Sequence, residues 1–164
     1  MNLPQPRGPV FIVGAPRSGT TLLQYMLRSH PALSLPTGES HFFIPLYRNA
    51  SQYGDLSQAD NVRRVLRAME AQSAEFLYTD LHGLQFDVET LTREFVDEGR
   101  DNMRDIIGGL FEKNAAGEGK PRWGDKTPYY VLHLPKLLDW WPDAQIIHIV
   151  RDGRDVALSM FARR

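Results

Sequence analysis

The sequence predicts an α/β fold: a three-layer arrangement around a central parallel sheet, with a helix-rich middle segment. Three observations predict it. Near the amino end an apolar run, Val10–Val13, leads through a loop of glycine, serine and threonine into a stretch with helical spacing. Near the carboxyl end a second apolar run, Gln145–Val150, leads into another such stretch. Between the two, apolar residues recur mainly at helical intervals. Strands separated by helices pair in parallel, and the helices cover the sheet faces.

The elements follow in order. Val10 to Leu27, VFIVGAPRSGTTLLQYML, reads as a buried strand, a loop and a helix. That helix runs from about Thr20 to Ser29 and stops before His30-Pro31, because the residue preceding proline avoids helical backbone. Ser57 is placed to cap a helix carrying Val62, Val65, Leu66 and Met69 on one face. A long helix is expected from Glu89 to Asn114, with Leu91, Phe95, Met103, Ile107, Leu110 and Phe111 inward. Gly99 and the Gly108-Gly109 pair weaken it by about 1 kcal/mol per glycine relative to alanine. Ala116 to Arg122 reads as a loop. Thr127 is expected to cap a helix opening on Pro128, and Pro135 to divide it in two. Gln145–Val150 alternates poorly, as a strand buried on both faces does. Val156, Leu158, Met160 and Phe161 supply an apolar face to the last helix.

Composition narrows the function classes. At 164 residues the chain fits one domain, 1–164. Hydrophobic residues make up 42%, enough for a globular core, and the net charge of −1 gives no bulk attraction to nucleic acid or an anionic membrane. With no cysteine there are no disulfides or thiolate metal sites. No apolar run approaches ~20 residues, and MNLPQPRGP lacks a signal-like apolar region. A cytoplasmic protein without nucleic-acid or membrane partners is expected, and a homo-oligomer is compatible with the sequence.

The first loop has the makings of an anion cradle. Backbone N–H groups at a helix start are unpaired and carry the positive end of the helix dipole. Gly14 and Gly19 let the backbone approach an anion. Ser18, Thr20 and Thr21 add hydroxyl donors, and Arg17 adds a fixed charge with a planar donor fork. The spacing matches GxxxxGK[ST] except that Thr20 stands where a nucleoside triphosphatase needs lysine. The loop therefore suits a phosphate-like group better than ATP or GTP hydrolysis. In the second segment Arg151 follows a strand at its carboxyl end, where open α/β sheets place ligands. Arg151, Ser159 and Arg163 fall where one phosphate dianion can take all three. Asp152, Arg154 and Asp155 read instead as a solvated turn with local ion pairs.

GAPRSGTTLL resembles the 5′-phosphosulfate loop of sulfotransferases that use 3′-phosphoadenosine 5′-phosphosulfate (PAPS). IIHIVRDGRDVALSMFARR resembles that family's 3′-phosphate motif, in which an arginine ends a strand and a serine follows eight residues on, here Arg151 and Ser159. The resemblance implies PAPS as the sulfuryl donor, no metal, and a small-molecule or peptide acceptor bearing a hydroxyl or amine. It also implies roles within two polar segments. Glu39 in PTGESH resembles the catalytic base of the GE[ST] segment in tyrosylprotein-type sulfotransferases, with His41 a nearby alternative. Lys126 in WGDKTP resembles the lysine of the family's K-x-P segment; with Arg17 it would stabilise the departing 5′-phosphate. The alternative partner for Lys126 is its neighbour Asp125. In the small-molecule branch a catalytic histidine follows this lysine; here Thr127 and Pro128 follow, which favours a glutamate base. The three tryptophans and Phe42-Phe43 are expected in the core rather than in an acceptor pocket. The chain stops directly after the second motif, so a missing carboxyl-terminal part is expected. The competing readings are a non-catalytic phosphoadenosine-binding module and, less favoured, a P-loop kinase.

Overall fold

The computed structural model describes residues 8–72, 83–84 and 86–162. Strand β1, Val10–Gly14, is buried along its length because it lies mid-sheet. The strand order is β2-β1-β3, with β2 at Gly124–Lys126 and β3 at Gln145–Ile149, both parallel to β1. Ile12 lies opposite Lys126, and Gly14 lies opposite Ile149.

Side chains alternate across a strand, and β1 uses this to build two cores. Val10 and Ile12 pack with Leu33 and Leu35 beneath helix α1, Thr20–Arg28, which contributes Leu23 and Leu27. Phe11 and Val13 enter the larger core on the opposite face. There Phe11 meets Phe43 and Trp123 edge-on, each at 5.9 Å, and Trp141 at 5.7 Å. The three layers are as predicted. Phe42, Phe43, Trp123 and Trp141 are core residues, and Trp140 packs partly buried against that core.

The larger core is closed by α2 (Phe43–Arg48), α3 (Ala59–Gln72), α4 (Val88–Asp97), α5 (Met103–Gly117) and α6 (Leu134–Trp140). Val62, Val65, Leu66 and Met69 are all buried, as the spacing of α3 required. Ser57 does not cap that helix: α3 starts at Ala59, and the N–H groups of Asn61 and Val62 donate to the Gln58 carbonyl. The single helix expected over 89–114 is two. Gly99 takes φ +71, which ends α4, and the Asn102 side chain accepts from the Asp105 N–H to start α5. Within α5, a Cβ at Gly109 would lie 2.6 Å from the Arg100 guanidinium.

Three further corrections concern the carboxyl half. Pro128–His133 is a 3-10 helix, with Pro135 opening α6 behind it. Strand β3 is a half-exposed edge strand rather than one buried on both faces. The last helix, α7 (Gly153–Phe161), buries no residue, and Leu158, Met160 and Phe161 are exposed. Among the described residues no helix is long and apolar enough to cross a membrane.

Candidate active site

With β2 and β3 on opposite sides of β1, the chain leaves β1 at the switch point of the sheet, where open α/β folds bind ligands. Gly14 is required there: a Cβ would lie 2.5 Å from the Ile149 carbonyl oxygen. Arg17 and Gly19 take left-handed backbone, φ 68 and 102, and so turn the loop into α1. Gly19 is the cap residue of α1 and brings no side-chain cap, so the N–H groups of the first turn remain available to an anion.

A cavity of about 260 Å³ opens at this point, lined by Arg17, Gly19, Thr20, Thr21, Arg151 and Ser159. Arg17 Nε donates to Ser159 Oγ at 3.1 Å across 142 residues of sequence. Arg151 Nη1 donates to the Arg17 carbonyl, also at 3.1 Å. The two motifs thus share one cavity. Ser18 serves the loop instead: its N–H and hydroxyl both donate to the Ala15 carbonyl, at 3.3 and 2.6 Å. Arg163 lies outside the described residues. Asp152 caps α7 and pairs with Arg154 at 2.6 Å, while Asp155 approaches Arg151 at 3.8 Å. These are the local pairs expected of a solvated turn.

The carboxyl edge of the sheet also carries Lys126, the last residue of β2. Its ammonium meets Glu39 Oε1 at 2.8 Å, and His41 Nε2 meets Glu39 Oε2 at 3.0 Å. The segment bearing Glu39 is tied to the anion-loop helix, because buried Gln24 of α1 donates to the Pro36 carbonyl at 2.6 Å. Burial pushes the Glu39 carboxyl up, but hydrogen bonds from His41 and Lys126 outweigh it and hold the group below 4.5. The same bond to Glu39 raises His41 above 6.5 against the effect of burial. The Lys126 side chain is 4% exposed, so its charge acts where water screens little. Lys126 therefore pairs with Glu39, not with its neighbour Asp125. That contact spans 87 residues and leaves no local signal in the sequence.

The profile of the sulfotransferase family matches residues 9–164. This chain belongs to the sulfotransferase family. It is 28% identical over 155 residues to protein-tyrosine sulfotransferase 1 of Homo sapiens, covering 94% of this chain and 34% of that protein. It is 27% identical over 150 residues to nodulation protein NoeE of Sinorhizobium fredii, covering 92% and 30%. The chain thus spans about a third of the length of these curated relatives. Among solved structures, the sulfotransferase domain from the curacin biosynthetic pathway aligns with a TM-score of 0.41 and 22% identity, covering 86% of this chain and 46% of that one.

In this sulfotransferase-family chain a buried polar network lies directly behind the Glu39–Lys126 pair, and sequence reasoning missed it. Thr127 does not cap a helix; its Oγ1 accepts from the Ser40 N–H at 3.0 Å. Ser40 Oγ and the fully buried Tyr130 hydroxyl share a hydrogen bond of 2.9 Å, and the Phe43 N–H donates to the same hydroxyl at 3.1 Å. Each member of the catalytic candidate pair is therefore followed by a residue that anchors it.

Asp125 is buried beside this network, and neither carboxyl oxygen has a hydrogen-bond partner among the described residues. Burial pushes its pKa from 3.8 up to about 6, against the pull of the Thr127 and Ser40 hydroxyls and Lys126. The unfolded chain loses this proton near 3.8 and the folded chain keeps it to about 6. Stability linked to Asp125 is therefore fully present below the unfolded value and falls by about 3 kcal/mol as pH rises through the folded one. Denaturant unfolding of wild type and Asp125→Asn, which cannot ionise, measures this. The variant gains about that amount on wild type between about pH 4 and about pH 7. A pH-independent difference would contradict the assignment.

Proposed function

We propose that the chain is the nucleotide-binding and catalytic part of a PAPS-dependent sulfotransferase acting on a hydroxyl or amine acceptor. The observation that carries this reading is the single cavity to which the two family motifs contribute Arg17, Thr20, Thr21, Arg151 and Ser159. A nucleoside carrying phosphates at both the 3′ and 5′ positions presents two anions to such a site, and charge-assisted bonds from two arginines suit it. The donor's residues thus fit its charge.

The reaction is an in-line displacement in which positioning and charge stabilisation supply most of the catalysis. The acceptor oxygen or nitrogen forms a bond to sulfur and gives its proton to Glu39. The bond from sulfur to the 5′-phosphate oxygen breaks, and its electron pair leaves with the phosphate. Arg17, Lys126 and the N–H groups of the first turn of α1 meet the charge that develops there. Thr20, in place of the phosphate-reaching lysine, counts against a kinase. One observation favours a binding-only module as the second reading: both oxygens of Glu39 already hold partners.

The test is transfer of labelled sulfuryl from PAPS to a panel of phenols, alcohols, amines and tyrosine peptides, with and without EDTA. The expected result is labelled product with one bisphosphoadenosine released per transfer, unaffected by EDTA because side-chain cations meet the leaving charge. Tight bisphosphoadenosine binding with no transfer to any acceptor would favour the module, and a strict Mg²⁺ requirement would contradict the mechanism.

A further inference from the structure

The two partners of Glu39 are unequal. Lys126 on Oε1 is almost wholly buried and comes from a strand held in register with β1. His41 on Oε2 is 50% exposed and sits in left-handed backbone, φ 54. Non-glycine residues visit that region rarely, with His, Asn and Asp several-fold enriched there. Ser40, between the two acidic-site residues, is fixed from behind by Thr127 and Tyr130. Glu39 is therefore anchored on three sides, and the imidazole is the partner that can turn out into solvent.

We propose that His41 is a positioning residue for Glu39: it holds Oε2 while no acceptor is present and yields that oxygen to the acceptor hydroxyl or amine, leaving the base at full strength once the imidazole is neutral. This rests on the transferase reading above and resolves the difficulty that both Glu39 oxygens are engaged. The charged groups around the imidazole are Glu39 and Asp125, which retain its proton, and Lys126, which opposes them. A cationic His41 on Oε2 holds the carboxylate's affinity for protons down. When the acceptor's O–H or N–H replaces the imidazole N–H on Oε2, its proton passes to Glu39 as the new bond to sulfur forms. The released imidazole, when neutral, takes that proton from Glu39 and passes it to solvent.

The experiment follows the Glu39 side-chain carboxyl carbon by NMR across the pH range from about 4 to about 9, assigned with Glu39→Gln, and follows the His41 imidazole in the same samples. Two inflections are expected for Glu39 in wild type, its own below 4.5 and a second coinciding with His41 above 6.5. His41→Asn, which tolerates the backbone conformation, loses the upper inflection, and Glu39→Gln lowers the imidazole's own titration. In transfer assays the acid limb of kcat/KM follows the upper inflection in wild type and moves down by about two pH units in His41→Asn. Absence of the upper inflection in wild type, or an acid limb that stays in place in His41→Asn, would overturn the proposal. An upper inflection with no transfer to any acceptor supports the hold of His41 on Oε2 and counts against the transferase reading instead.

Discussion

Glu39→Gln lowers sulfuryl transfer by about 10²–10⁴-fold, the usual contribution of a positioned general base, and leaves bisphosphoadenosine affinity nearly unchanged. The two effects separate because Glu39 is not among the residues lining the anion cavity. Glutamine keeps the size of the side chain and an oxygen that can accept from Lys126 at the 2.8 Å position, so the segment stays anchored. What it cannot do is take a proton from the acceptor. Single-turnover rates together with calorimetric binding of bisphosphoadenosine check both halves. Full rate in Glu39→Gln would remove Glu39 as the base and make His41 the candidate.

Lys126→Met has a comparable effect for a different reason. The methionine fills the buried slot without charge, so loss of the cation that faces the leaving phosphate costs about 3–4 kcal/mol of transition-state stabilisation, or about 10²–10³-fold in rate. A second consequence follows from the ion pair. Glu39 loses one of the two hydrogen bonds that hold it below 4.5, so its carboxyl titrates higher in the variant. Arginine does not substitute, because a planar guanidinium needs more room than a compact ammonium that is 4% exposed. The rate and the Glu39 carboxyl titration are measured on the same sample. A rate loss under about tenfold, with the carboxyl shifted up, would make Lys126 a structural partner of Glu39 rather than a catalytic residue.

What the sequence revealed and what it hid divide along physical lines. β1, the anion loop and α1 were legible because a buried strand, a glycine-bearing turn and an amphipathic helix each depend on neighbours in sequence. The same is true of α3, whose four apolar residues are all buried. β3 was located to within a residue, but its apolar composition does not reveal that it lies at the sheet edge, since strand order is a non-local property. The break between α4 and α5 was signalled by Gly99, though glycine alone does not tell a weakened helix from an ended one. Thr127 carries the composition of a helix cap, and a long-range bond to Ser40 claims it instead. In the site, the residues Arg17, Arg151, Ser159, Glu39 and Lys126 were all legible from motifs. Their contacts were not, because Arg17 meets Ser159 across 142 positions and Lys126 meets Glu39 across 87.

The central claim is that the two motifs build one site for a nucleoside bearing both a 3′- and a 5′-phosphate. Calorimetric titration with 3′,5′-bisphosphoadenosine and with 5′-AMP, on wild type and Arg151→Ala, tests it most directly. The account predicts that wild type binds the bisphosphate far more tightly than 5′-AMP. It also predicts that Arg151→Ala loses about 1.5–3 kcal/mol for the bisphosphate and little for 5′-AMP, removing most of the discrimination. Equal affinity of wild type for the two nucleotides would contradict it.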